Sequence, residues 1–193
     1  MFFESKIYSN ISHGSIEVIC GSMFSGKTQE LIRRLKQLKV AKKKFIVFKP
    51  SIDIRYDENK IVSHNQDCIN ATSVNNSIEI EEVVSNEDVI AIDEAQFFDK
   101  YLVNLCNNFA NKGKRVIVCG LDMDYLGVPF GVMSLLLAMS DNITKLHAVC
   151  SDCGGTANYS YRKGKSQNRI KIGEKDEYKA LCRECFTKKI DCE

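Results

Sequence analysis

The stretch that most limits what this chain can fold into is Gly21-Ser22-Met23-Phe24-Ser25-Gly26-Lys27-Thr28, a complete G-x-x-x-x-G-K-[ST]. An apolar run at residues 16–20 (IEVIC) precedes it, and Leu31, Ile32, Leu35 and Leu38 follow at the three-and-four spacing of one helical face. A strand running into a glycine-rich turn that opens a helix is the context in which this motif cradles phosphate. The glycines let backbone N–H groups point inward, and the helix N-terminus adds the positive end of its dipole. Gly21 to Thr28 are therefore expected to hold nucleotide phosphates, with Lys27 at the β- and γ-phosphates and the Thr28 hydroxyl on Mg²⁺.

The same loop predicts the sheet around it. Apolar runs at 44–48 (KFIVF, ended by Pro50), 89–92 (VIAI), 115–119 (RVIVC) and about 145–149 read as further strands. Helical patterns at Lys100–Asn111 and about Gly131–Ser140 lie between them. Short apolar strands alternating with helices describe an α/β fold, a parallel P-loop NTPase-like sheet flanked by helices on both faces. Residues 50–88 are polar and Asn-rich, with room for one short strand and a helix near Ile78–Val84. After Cys150 the chain reads as Gly-rich and strand-poor, which places a boundary at 149: a nucleotide-binding domain over 1–149 and a small zinc-binding domain over 150–193. A length of 193 residues suits one domain with a small appendage, at about 150 residues per domain.

The second element of a phosphate site is an acid at the end of an apolar strand. Val89-Ile90-Ala91-Ile92-Asp93-Glu94 supplies it, with Asp93 expected at Mg²⁺. Glu94, next to it, is placed to take a proton from an attacking oxygen. Adjacent acids do not decide whether that oxygen belongs to water, as in an NTPase, or to a substrate hydroxyl, as in a kinase.

Nine cysteines, an odd number, are not a disulfide framework in a chain read as cytoplasmic. Cys20, Cys68, Cys106 and Cys119 are scattered singly and read as core thiols. Cys150-x-x-Cys153 and Cys182-x-x-Cys185 have the pair spacing of a tetrahedral, closed, structural zinc site. The 28 residues between the pairs exceed the ribbon gap of about 15–20, which suggests a loop carried between two knuckles. Neither pair reads as opening a helix after a strand, which disfavours redox chemistry. Tyr159, Tyr161, Arg162, Gly173 and Tyr178 lie in or beside that loop; they could close over a flat base, with Arg162 at a phosphate, or simply pack the small domain.

Charge excludes some partners. Lys plus Arg is 27 and Asp plus Glu is 25, a net charge of +2, which disfavours a general nucleic-acid binder. The basic run Arg33, Arg34, Lys36, Lys39, Lys42, Lys43 and Lys44 reads as the solvated side of the helix after the phosphate loop and its C-terminal end. His13, His64 and His147 are isolated and take no role. No apolar run reaches the roughly 18 residues of a membrane span, and residues 1–17 lack the apolar core of a signal peptide. No membrane partner is expected.

The motifs GSMFSGKT, KPSIDIRY, DEAQFF, GLDMDYLGVPFG, KLHAVCSDCG and EYKALCREC, in that order, resemble the type II thymidine kinases, the zinc-containing cytosolic class. The resemblance runs from about residue 16 to 186. It implies transfer of the γ-phosphate of ATP to the 5′-hydroxyl of thymidine or deoxyuridine in nucleotide salvage, with structural zinc and Mg²⁺. It places Glu94 as general base, with Lys27, Thr28, Asp53, Arg55, Asp93 and Gln96 on the nucleotide side. Met23, Phe97, Leu121, Tyr125, Phe130, Ser160 and Arg162 would line the nucleoside pocket. Arg169, Ile170, Lys171, Ile172, Gly173 and Tyr178 would form a lasso loop over the base. Tyr125 stands where many relatives carry Phe. The resemblance further implies a homotetramer and feedback inhibition by thymidine triphosphate. Three rivals remain open at this point: a zinc-ribbon nucleic-acid protein with a P-loop motor, a kinase of another nucleoside, and a regulatory relative without turnover.

Overall fold

The computed structural model describes residues 14–53, 60–62, 67–163 and 177–191. In chain order the main elements are β1 (Ser15–Gly21), α1 (Lys27–Val40), β2 (Phe45–Pro50), β3 (Lys60–Val62), β4 (Cys68–Asn70), β5 (Thr72–Val74), α2 (Ser77–Val83) and β6 (Val89–Ile92). A 3-10 turn (Ala95–Phe97) follows, then α3 (Tyr101–Asn111), β7 (Arg115–Gly120), α4 (Met133–Met139) and β8 (Asn142–Leu146). The chain continues with β9 (Ala148–Val149), β10 (Thr156–Ala157), β11 (Tyr159–Arg162), β12 (Tyr178–Leu181) and α5 (Arg183–Ile190).

Six strands form one sheet in the order β5-β2-β6-β7-β1-β8, and every pairing is parallel. Strand alternation sends neighbouring residues to opposite faces. Val18, Cys20, Ile90, Ile92, Val116 and Val118 meet α2, α3 and α4 through Ile80, Leu102, Leu105, Cys106, Met133 and Leu136. On the other face Ile19, Ala91, Ile117 and Cys119 pack against Leu31, Ile32, Leu35 and Leu38 of α1. Burying such a side chain is worth about 1.5–3 kcal/mol, so the stripe from Leu31 to Leu38 alone anchors the helix that opens at the phosphate loop. The parallel sheet flanked by helices is thus as expected.

Three details differ from the sequence reading. Five strands were expected in the sheet, and the sixth is β5, whose three residues pair with Phe48–Pro50 at one edge. The fifth expected strand begins earlier, at Asn142, because β8 is an edge strand whose exposed Asn142, Ile143 and Lys145 make no apolar run. Its partner helix is shorter than expected, seven residues from Met133, since Gly131 stands at φ 53 and breaks the backbone before it.

The segment after Cys150 is not strand-poor. β9 pairs with β10 and β11 with β12, both antiparallel. They enclose a small core of Ala148, Cys150, Ala157, Tyr159, Ala180, Leu181 and Phe186. Tyr159 stacks on Phe186, ring centroids 4.5 Å apart, so this tyrosine packs the lobe and is 6% exposed. Among the described residues no helix is long and apolar enough to cross a membrane.

Candidate active site

The phosphate loop leaves β1 at its C-terminal end, where parallel α/β sheets place their ligands. Gly21 has φ 144, and a Cβ there would lie 2.2 Å from the Leu146 carbonyl oxygen, so only glycine fits. Gly26 caps α1 in the left-handed conformation, φ 85, without a side-chain hydrogen bond to the first turn. The first-turn N–H groups thus meet no side-chain acceptor at the cap, which suits a bound anion. Lys27 is buried, its Nζ donating to the Ser22 carbonyl at 2.9 Å, and the Ser25 hydroxyl donates to the same carbonyl at 2.8 Å. The Ser22 hydroxyl is buried and has no hydrogen-bond partner among the described residues. Thr28 occupies the first turn of α1 and Phe24, at φ 64, the exposed tip. These donors and the uncapped helix end fit a triphosphate.

The acids come from the next strand but one. Asp93 follows β6, its N–H donating to the Phe48 carbonyl and its carboxylate accepting from Glu94 N–H at 3.0 Å. Both carboxylates are buried, Asp93 at 4% and Glu94 at 8% exposure. Burial raises the thiol pKa of Cys119 well above normal, Asp93 and Glu94 push the same way, and Lys27 opposes them. β6, which Asp93 and Glu94 follow, and β1, which runs into the loop carrying Lys27, both pair with β7. Glu94 has φ 51, ψ 41, a left-handed backbone that is uncommon for a non-glycine residue and gathers at functional sites. Gln96 Nε2 donates to Glu94 Oε2 at 2.5 Å, and Gln96 Oε1 accepts from Leu121 N at 3.0 Å. Asp53 lies beyond β2, its N–H donating to the Pro50 carbonyl.

The loop after β7 supplies an aromatic wall. Phe97 and Phe130 meet edge to face at 5.7 Å. The Arg162 guanidinium lies 3.6 Å from the Tyr125 ring centroid, so Arg162, 4% exposed, is held by a cation–π contact. Asp124 braces this loop, Oδ1 accepting from Leu126 N and Val128 N. Met23 N donates to the Ser160 hydroxyl at 2.9 Å, tying the phosphate loop to β11. Ser160 and Tyr178 are buried in the paired strands β11 and β12. Of the expected site residues, Arg55, Arg169, Ile170, Lys171, Ile172 and Gly173 lie outside the described residues.

The four cysteines converge. The Sγ atoms of Cys150, Cys153, Cys182 and Cys185 all lie within 4.8 Å of one another, and those of Cys153 and Cys182 are 3.6 Å apart. A tetrahedral zinc–thiolate site, with bonds of about 2.3 Å, has sulfurs separated by about 3.8 Å, so the cluster fits zinc. Burial opposes charge on Cys150, yet backbone N–H groups around it, Cys182 first, outweigh that and bring its thiol down to about 6. The premise that neither pair opens a helix after a strand fails for the second: Cys182 follows β12 and caps α5, its Sγ accepting from Cys185 N at 3.5 Å. Four clustered sulfurs still favour a metal over a redox pair.

Sequence reasoning missed two acids. Asp122 is 7% exposed and pairs with Lys145 at 2.8 Å, while Asp124 organises the turn that carries Tyr125. The signal for Asp124 was present: an Asp three residues before Gly127, in a stretch without helical period, is an Asx-turn pattern. Nothing in the sequence pairs Asp122 with Lys145.

The chain is similar in sequence to known proteins. A family model described as "Thymidine kinase" matches residues 14–186. The thymidine kinase of Bacteroides fragilis (strain YCH46) is 48% identical over 190 residues, covering 98% of this chain and 96% of its own. That of Porphyromonas gingivalis (strain W83) is 50% identical over 185 residues, covering 96% and 91%. That of Rhodothermus sp. (strain ITI 518) is 49% identical over 175 residues, covering 91% and 82%. A match of this extent, on a chain whose phosphate loop, paired acids and four clustered cysteines occupy one parallel α/β scaffold, means that the chain belongs to the thymidine kinase family.

Proposed function

We propose that the protein phosphorylates thymidine, and deoxyuridine, transferring the γ-phosphate of ATP to the 5′-hydroxyl. The observation that carries this reading is the buried Glu94 carboxylate, set beside the buried Asp93 at the end of β6, in a chain whose phosphate loop buries Lys27. In the proposed step the 5′-oxygen bonds to the γ-phosphorus, the bond from that phosphorus to the β,γ-bridging oxygen breaks, and ADP departs. Glu94 accepts the 5′-hydroxyl proton. Lys27 and the loop N–H groups hold the β- and γ-phosphates and offset charge as it shifts to the leaving oxygen. Thr28 and Asp93 would hold Mg²⁺, which when bound neutralises phosphate charge. Gly21, Ser22, Met23, Phe24, Ser25 and Gly26 form the phosphate cradle, with Asp53 and Arg55 near the phosphates and sugar.

Met23, Phe97, Leu121, Tyr125, Phe130, Ser160, Arg162 and Tyr178 would enclose the nucleoside, and Arg169 to Gly173 would cover its base. Zinc held by Cys150, Cys153, Cys182 and Cys185 would brace the 150–193 domain against the 1–149 domain, as a structural rather than a reacting ion. A homotetramer, cytoplasmic location and inhibition by thymidine triphosphate rest on family resemblance. The test is phosphate transfer from ATP and Mg²⁺ to thymidine, deoxyuridine, deoxycytidine and deoxyadenosine beside a no-nucleoside control, repeated with Glu94→Gln. Transfer confined to thymidine and deoxyuridine is expected, with turnover of Glu94→Gln lower by about 10²–10⁴-fold. ATP hydrolysis without transfer would refute the kinase, and a variant within a few-fold of wild type would refute Glu94 as base.

A further inference from the structure

We propose that Gln96 is a positioning residue for this reaction, its amide registering the Glu94 carboxylate against the pocket wall at Leu121. The proposal rests on the reading of Glu94 as the base and goes beyond it, because Gln96 touches the base and the wall at once.

The amide has one workable orientation. Its Nε2 donates to Glu94 Oε2 at 2.5 Å while its Oε1 accepts from Leu121 N at 3.0 Å. Turned over, oxygen would face a carboxylate oxygen and NH₂ would face an N–H donor, so both contacts would become repulsive. Gln96 is 3% exposed. Its surroundings are built to its size. A Cβ on Gly120 would lie 2.7 Å from Gln96 Oε1 and 2.7 Å from Met133 Sδ, and one on Gly131 would lie 2.4 Å from the Gln96 carbonyl oxygen. The 3-10 turn fixes the other end, since Phe97 N donates to the Glu94 carbonyl at 3.1 Å and Phe98 N to the Ala95 carbonyl.

The chemistry explains why such a clamp is useful. A glutamate side chain has three rotatable torsions, and proton abstraction requires its oxygen within about 2.6–3.2 Å of the hydroxyl. Leu121 belongs to the wall proposed for the nucleoside. One amide bonded to both keeps the base in register with whatever that wall holds, and misplacement by about 1 Å can cost of the order of 10²-fold in rate.

The experiment is a double-mutant cycle in the full-length protein, with Gln96→Met removing the amide and Gln96→Asn keeping it but shortening its reach. Each is measured alone and with Glu94→Gln, recording kcat, the KM for thymidine and for ATP, and the Mg²⁺ requirement. Either Gln96 variant that folds suffices. The expected result is kcat lower by about 10–10²-fold with both KM values within about three-fold, and less than about two-fold further loss in the Glu94→Gln background. An equal loss in that background means Gln96 acts independently of Glu94 and overturns the proposal, while the deficit of Glu94→Gln alone leaves the base standing. A raised KM for ATP or Mg²⁺ requirement with kcat preserved assigns Gln96 to the nucleotide side and also overturns it. Loss of folded protein in both variants overturns it too, since the amide would then be a structural requirement. Near-normal turnover of Glu94→Gln alone refutes the base reading itself, a result the Gln96 variants do not produce.

Discussion

Glu17 interrupts an otherwise apolar strand, and its removal gives a sharp test of how the sheet is held behind the phosphate loop. Its carboxylate accepts from Arg34 Nη1 at 2.7 Å, Arg115 Nε at 2.6 Å and Arg115 Nη2 at 2.9 Å, while Arg34 Nη2 donates on to Thr144 Oγ1 at 2.8 Å. One carboxylate thereby joins β1, α1 and β7, and through Arg34 reaches β8. The Glu17 side chain is 1% exposed and those of Arg34 and Arg115 are 14% and 19% exposed. Glu17→Gln keeps the shape and removes the charge; Arg34 retains Glu30, whose Oε1 accepts from its Nε at 2.9 Å, while Arg115 loses the carboxylate that takes both its Nε and its Nη2. Breaking a buried pair costs about 3–5 kcal/mol, and the arginines' residual access to water argues for the lower end. At about 2–4 °C per kcal/mol for a chain of this size, ~3 kcal/mol lowers Tm by about 6–12 °C. Thermal melting of wild type and variant at equal concentration reads this directly. Glu17→Met combined with Arg34→Met and Arg115→Leu should recover most of the loss, because replacing buried ion pairs by apolar groups is often neutral and Glu30 keeps its pairing with Arg33. A drop below about 3 °C for Glu17→Gln would refute the reasoning, since water would then be screening the cluster.

Two further outcomes are expected. Cys182→Ser should weaken zinc retention and raise the KM for thymidine more than that for ATP, measured by metal content and steady-state kinetics, because β12 and the neighbouring site residues hang from that cysteine; equal losses for both substrates would point to general unfolding. Ser160→Ala leaves Met23 N without its 2.9 Å acceptor and should cost about 1 kcal/mol of stability with a few-fold rise in KM, while Ser160→Thr, which keeps the hydroxyl, should not, as melting and kinetics on the pair will show.

What the sequence disclosed followed from the strength of local periodicity. The phosphate loop and α1 carry a rigid motif and a clean apolar stripe, and Leu31, Ile32, Leu35 and Leu38 are all buried. In α3 the expected inward residues Leu102, Val103, Leu105, Cys106 and Phe109 are likewise buried. The short strand allowed within residues 50–88 has no assignable place in the sequence, because three residues, Thr72–Val74, are too few for any period to register. β12 escaped because Lys179 breaks the apolar run YKAL, so the strand that delivers Cys182 to the head of α5 was invisible. The basic run places Arg34 on a solvated face. It does lie beside the exposed Arg33, yet it turns toward Glu17, a partner 17 residues away in sequence that helix periodicity alone does not reveal.

The same limit applied at the site, with more consequence. Spacing within DEAQFF identifies two acids and an amide but not that the amide spans from Glu94 to Leu121, because that contact requires β6 and β7 to be neighbours. Nor does it join the phosphate loop to the four-cysteine lobe. That join consists of Met23 N on the Ser160 hydroxyl, Arg162 over Tyr125, and Gly127 packed so closely that a Cβ would lie 3.2 Å from both Phe186 and Tyr159. Each contact has one partner on the sheet side and one on β11 or α5, and α5 begins at a cysteine of the cluster. A metal bound there would restrain β12 at its base, and β11, paired with β12, would in turn restrain the phosphate loop and the aromatic wall. The zinc pattern and the phosphate pattern are separate in sequence; in the folded chain a hydroxyl, a stacked guanidinium and a glycine lie between them, the route by which loss of the first would reach the second.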